Sequence, residues 1–215
     1  MNIIKKDFII INNKFDEYKT KNEKSFEYIE GKQKIILSAP HSVRQIRNNK
    51  IKGKDFCTGT IAILLQKAIG CYCIYKTKNC NDDANYDIEN NIYKDKIIEL
   101  IKNKKIKFLL DIHGAKDGQG FDIDVGTANY SNLNGNNKYI EDFIKIGEKY
   151  NLNITIDKLF KADTLHTVAN TIAIKTKIPC MQIEIAKKYR DIEQFNNIKI
   201  ILNFLEEYSK NILVE

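Results

Sequence analysis

The sequence predicts an α/β fold, a three-layer sandwich around a mostly parallel, mixed central sheet. Three observations predict it. Short apolar runs of strand character alternate along the chain with longer segments of helical period. The polar residues of chemical interest fall at the C-terminal ends of those strand runs, where open α/β sheets bind ligands. A length of 215 residues, 43% of them hydrophobic and 29% charged, supports a sizeable core, so residues 1–215 read as a single α/β domain.

The elements follow in order. The opening stretch reads as a pair of strands, Phe8–Ile11 and Phe26–Ile29, flanking a polar segment. Lys34–Ser38 (KIILS) is a buried type of strand that runs into Ala39-Pro40-His41. Thr58–Ile69 carries an apolar stripe of Ile61, Leu64, Leu65 and Ala68, the spacing of a helix. Cys71–Tyr75 reads as a strand and Tyr93–Asn103 as a helix with Ile97, Ile98 and Ile101 inward. Ile106–Ile112 (IKFLLDI) is the clearest central strand, and Phe121–Val125 is another. Helices are expected at Lys138–Tyr150 and at His166–Lys175, the latter capped by Thr164. Cys180–Ile185 (CMQIEI) is a strand after Pro179, and Asp191–Ser209 is the closing helix. No repeat and no Gly/Ser/Pro-rich linker divides the chain.

Charge and cysteine content narrow the class. The net charge of +7 comes from 35 basic and 28 acidic residues, both spread along the chain. The basic clusters are short, so a solvated lysine surface is expected and no nucleic-acid partner. A small anionic substrate fits the same balance. The five cysteines (Cys57, Cys71, Cys73, Cys80, Cys180) are odd in number and match no disulfide scaffold or zinc knuckle. They read as reduced thiols of a cytoplasmic protein. No apolar run is long enough for a signal-peptide core or a membrane span.

The three histidines are informative because they are scarce. His41 follows one buried strand and His113 ends another, so two strands bring an imidazole each to one edge of the sheet. A lone histidine is more often a satisfied core or edge residue. Two at strand ends in acidic company point to a metal. A catalytic zinc site uses three protein ligands and leaves one position for water. The third ligand is expected to be a carboxylate, Asp55 or its competitor Asp111. Asp111 shares a strand face with His113, so it could bind the metal or orient that histidine from behind, and the second role is the one assigned to it. Glu184 lies among the apolar neighbours Met181, Ile183 and Ile185. Burying a charge there is costly. Its bland role is to partner a cation. Its functional role is general base to an activated water, then acid to a leaving amine. Gln182 shares its face as a hydrogen-bond donor. Arg44, Arg47 and Arg190 stand out in a lysine-rich chain, since Arg grips carboxylates in a fork that Lys cannot copy. Arg44 is assigned to catalysis, steadying an oxyanion. Arg47, Arg190 and His166 are assigned to substrate. The acidic run Asp82, Asp83 and Asp87 reads as solvated.

At these residues the chain resembles the N-formylglutamate amidohydrolase family. Three segments carry the likeness: SAPHSVRQIR (38–47), LLDIHG (109–114) and MQIEIAKKYR (181–190). The resemblance implies a zinc-peptidase-like fold related to carboxypeptidases and aspartoacylase. It implies one zinc ion and cleavage of a small N-acyl amide. By position, His41 and His113 resemble metal ligands, Glu184 the catalytic carboxylate, and Asp55 a ligand that is Glu in the family. The chain also departs from the family. NYDIENNIYKD stands where members acting on formylglutamate have an Arg-containing segment. A metallophosphoesterase is excluded, because Asp111-Ile112-His113-Gly114 lacks the further His residues and the Asn-His pair of a two-metal site. The alternative to an enzyme is a catalytically inactive relative or a basic binding protein.

Overall fold

The computed structural model describes residues 3–16, 24–87 and 91–214. Its elements are α1 (Lys5–Asn12), β1 (Phe26–Ile29), β2 (Gln33–Ala39), β3 (Gln45–Arg47), β4 (Lys50–Lys52), α2 (Thr58–Ile69), β5 (Cys71–Lys76), α3 (Ile92–Lys104), β6 (Phe108–Ala115) and β7 (Ile123–Gly126). There follow α4 (Lys138–Lys149), β8 (Ile154–Ile156), α5 (Val168–Thr176), β9 (Cys180–Ala186) and α6 (Phe195–Asn211). Seven strands form one sheet in the order β1-β5-β2-β6-β9-β7-β8, and β3 and β4 form a separate hairpin. The four central strands β5, β2, β6 and β9 are parallel. At the edges β1 is antiparallel to β5, and β7 is antiparallel to β9 while parallel to β8. The mixed, mostly parallel sandwich is the architecture expected.

Strand side chains alternate between faces, and here the two faces have different chemistry. One face carries Leu37, Cys73, Leu110, Met181 and Ile183. It packs beneath α1, α2, α4 and α6 in the larger apolar core. Cys71 and Cys73 both point there, and all five cysteines are free thiols. The other face begins apolar, with Ile36, Leu109 and Cys180 under α3 and α5. Toward the C-terminal strand ends the same face turns polar. Leu109 gives way to Asp111 and His113, Cys180 to Gln182 and Glu184, and Ile36 to Ser38. All five of these polar positions are buried. Register lines them up, with Asp111 opposite Gln182 and His113 opposite Glu184. The apolar half of this face anchors the sheet, and the polar half builds the site.

Three expectations need correction. Phe8–Ile11 is part of a helix, not a strand. Phe8 and Ile11 are buried three residues apart while Ile9 and Ile10 face outward, and Phe8 meets Phe195 edge-to-face at 5.8 Å. Of the polar segment after it, residues 17–23 lie outside the described residues. Helix α5 begins at Val168 instead of His166. Its cap is Thr167, whose hydroxyl accepts from the Asn170 amide, and Thr164 instead offers its carbonyl to Thr167. The closing helix begins at Phe195, after a 3₁₀ turn over Ile192–Gln194 that Asp191 caps. The hairpin of β3 and β4, and the edge strand β8, had no sequence-based expectation.

Candidate metal centre

His41 reaches the site from the turn after β2, and His113 from β6. Their Nδ1 atoms lie 3.1 Å apart. Asp55 Oδ2 lies 3.3 Å from each. The Asp55 amide donates to the His41 carbonyl at 2.8 Å, which ties the two ligand-bearing loops together. The Gly114 amide donates to Asp55 Oδ2 at 3.2 Å and fixes the carboxylate against β6. Three lone-pair donors thus form a nearly equilateral triangle. Bonds of about 2.0–2.1 Å to one tetrahedral ion would space such donors by roughly 3.3 Å. His41 and His113, both buried, and the half-buried Asp55 form a group that can hold a metal ion.

Each ring is held from behind by a carboxylate. His113 Nε2 donates to Asp111 Oδ2 at 3.0 Å, and His41 Nε2 donates to Asp83 Oδ1 at 2.8 Å. An ionised carboxylate only accepts, so each Nε2 carries a proton and each Nδ1 is the atom turned into the triangle. The structure therefore brings Asp55 to the donor triangle and Asp111 behind His113. Asp83 is fully buried, against the expectation of a solvated residue. It also accepts from Arg47 Nε and Nη2, at 2.9 and 2.7 Å. One signal for it was available. Asp83 follows strand β5 at the same sheet edge that carries His41 and His113.

The charges in the cluster depend on one another. Burial acts to raise the Asp55 carboxyl, but hydrogen bonds and charge from His113, His41 and Lys52 outweigh it and hold it well below the ordinary range. Burial pushes Asp83 up, and His41 and Arg47 more than reverse that. Burial disfavours the imidazolium of His113, yet Asp111, Asp55 and Glu184 push its pKa up to about 10. Glu184 goes the other way. Burial, helped by Asp55, raises it to about 7 against the opposing pull of His113, Lys52 and Arg190.

Glu184 opens onto a cleft of about 660 Å³ beside the triangle. Gln182 Nε2 donates to Glu184 Oε1 at 3.1 Å, and Asn85 Nδ2 donates to Gln182 Oε1 at 3.4 Å. Asn85 also accepts from the Val168 amide at 2.7 Å, at the first turn of α5. Asn85 had no role in the sequence reading. Tyr86 forms one wall, with the His166 ring stacked on it at 5.4 Å and the Arg47 guanidinium 4.7 Å from its centroid. Lys94 donates to the carbonyls of Asp87 and His166 and so ties the two loops that bear this wall.

The other arginines are placed differently from expectation. Arg190 is 4% exposed, and its three nitrogens donate to the carbonyls of Ile185, Phe56 and Ala115. It braces the backbone around the site instead of facing a substrate. A Cβ at position 114 would come within 2.2 Å of Arg190 Cζ, which is why Gly114 follows His113. Arg44 is half-buried just before β3 and does not line the cleft; Arg47 does.

Neither a protein-family model nor a curated protein sequence matches the chain. Solved structures do. The gene product Atu2144 of Agrobacterium tumefaciens is similar with a TM-score of 0.70 and 13% identity, over 95% of this chain and 98% of that one. The N-formylglutamate amidohydrolase of Ralstonia eutropha gives 0.62 and 9%, over 87% and 98%. A bacteriophage poly-γ-glutamate hydrolase gives 0.56 and 13%, over 91% and 93%. The chain has the fold of these proteins. Among the described residues, no helix is long and apolar enough to cross a membrane.

Proposed function

We propose that this protein is a zinc-dependent amidohydrolase, akin to the N-formylglutamate amidohydrolases, that cleaves the N-acyl amide of a small acidic amino acid. One observation carries the reading. Two Nδ1 atoms and a carboxylate oxygen converge at 3.1–3.3 Å, each imidazole backed by its own carboxylate. That donor set of two nitrogens and one oxygen suits zinc and leaves a fourth position open.

His41, Asp55 and His113 would hold the ion. Bound there, zinc would supply Lewis-acid polarisation of the amide carbonyl and would acidify a water molecule. The remaining work falls to the chain. Glu184, raised to about 7, is poised to accept a proton from water and return it to the departing nitrogen. Gln182 occupies Oε1, which leaves Oε2 as the working oxygen. Arg47 and His166 on the cleft wall are assigned to the substrate's anionic group. The fold is shared with two amide hydrolases of acidic substrates, which agrees with this assignment. A cleft of about 660 Å³ is also in the size range for drug-sized ligands, so a longer acidic amide chain is a second reading.

The test is zinc content together with turnover of N-formylglutamate. About one zinc per chain is expected. Glu184→Gln should keep the metal and lose roughly 10²–10⁴-fold in kcat. A protein that takes up no zinc, or a Glu184→Gln variant of full activity, would refute the assignment.

A further inference from the structure

The hairpin of β3 and β4 brings a cation to the donor triangle. Lys52 Nζ donates to His41 Nδ1 at 2.9 Å and lies 3.6 Å from Asp55 Oδ1. Nδ1 has one lone pair. It can accept from the ammonium or bind a metal, and it cannot do both. The two oxygens of Asp55 divide between these partners, since Oδ2 belongs to the triangle and Oδ1 faces Lys52.

The hairpin itself is held at both ends. Gln45, opposite Lys52, is buried and donates to the Val43 carbonyl at 2.7 Å. Arg47, opposite Lys50, is fixed on Asp83. The unbranched stem of Lys52 reaches out from this fixed hairpin, and its side chain is 31% exposed. Of the arginines at the site, Arg190 is used by three carbonyls, and Arg47 reaches the cleft wall paired with Asp83.

We propose that Lys52 is an internal competitor for the metal at His41 Nδ1. Once a metal takes that lone pair, the ammonium pivots on Asp55 Oδ1 into the cleft and recognises the substrate's carboxylate next to the scissile amide. The first half concerns metal binding alone. The second half rests on the hydrolase reading above and makes Lys52 a specificity-determining residue.

Two measurements test it. Zinc affinity is read by competition with a chromophoric chelator. Lys52→Met should bind zinc about tenfold more tightly, the effect of removing one charge-assisted hydrogen bond that the metal must break. Lys116→Met also removes a cleft-lining cation, yet should leave zinc affinity unchanged. Unchanged or weaker binding by Lys52→Met, or an equal gain in Lys116→Met, overturns the competitor role. The second measurement compares KM for N-formylglutamate and for its α-amide. Lys52→Met should raise KM about tenfold for the first, the loss of one charged contact, and leave the second unchanged. Lys52→Arg should restore the preference. An equal change for both compounds overturns the recognition role. A wild-type enzyme that binds zinc and hydrolyses neither compound overturns the hydrolase reading and with it the recognition role, and the zinc competition then decides the competitor role by itself.

Discussion

At the scale of single residues, the site depends on which nitrogen of each imidazole faces inward. Asp83 and Asp111 make that choice by accepting the Nε2 protons. Asp83→Asn should therefore lower zinc affinity by roughly 10–100-fold with the fold intact, measured by chelator competition and circular dichroism. The proton on His113 gives a second expectation. Its pKa is pushed up to about 10, so without metal the ring carries a second proton, on Nδ1, at neutral pH. Zinc must displace that proton. Affinity should rise by about tenfold per pH unit from near-neutral pH up to about 9, with one proton released per zinc in weak buffer. A pH-independent affinity would show that His113 is neutral in the free protein. His41, His113 and Glu184 could be picked out from the sequence because each ends or lies on a recognisable strand. Asp83 left a weaker signal, its place after β5, because the sequence shows an acidic loop and only the fold shows His41 and Arg47 closing over it.

At the scale of elements, the long periodic segments were readable and the short ones were not. Thr58–Ile69 matches its predicted bounds because an apolar stripe and Gly70, at φ +68°, mark its body and its end. The hairpin has strands of only three residues, too short for alternation to stand out. Its signal is the turn, where Asn48 and Asn49 have φ of +51° and +58°. Both dihedrals lie in the left-handed region that Asn tolerates and β-branched residues avoid. Asn48→Val should cost about 1–3 kcal/mol in thermal unfolding. It should also raise KM, since Arg47 and Lys52 sit at the two strand ends. Asn49→Gly should be tolerated. Helix α1 was misread for the opposite reason. The unbroken run Phe8–Ile11 suits a buried strand, and only packing against α6 shows that one side of it faces solvent.

At the scale of the whole molecule, the two faces of the sheet hold the chain together in different ways. The face beneath α1, α2, α4 and α6 is apolar along the full length of the strands. The opposite face gathers buried Asp83, Asp111 and Glu184 and half-buried Asp55 with two imidazoles at one end. Such a cluster is expensive to bury unless its charges are matched. A divalent ion would match them in the native state alone, so its binding energy adds to folding stability. At a free zinc concentration about 1,000 times Kd the gain is about 4 kcal/mol. For a chain of this size that corresponds to roughly 8–16 °C in Tm. Chelation should lower Tm by that amount. Leu110 tests whether the two faces act separately, because it neighbours Asp111 in sequence but points into the other core. Leu110→Ala should cost about 2–5 kcal/mol with or without zinc. Its Tm loss should add to that of chelation, as expected of independent sites. A Leu110→Ala variant whose Tm no longer responds to chelation would mean that the apolar face also sets the geometry of the donor triangle.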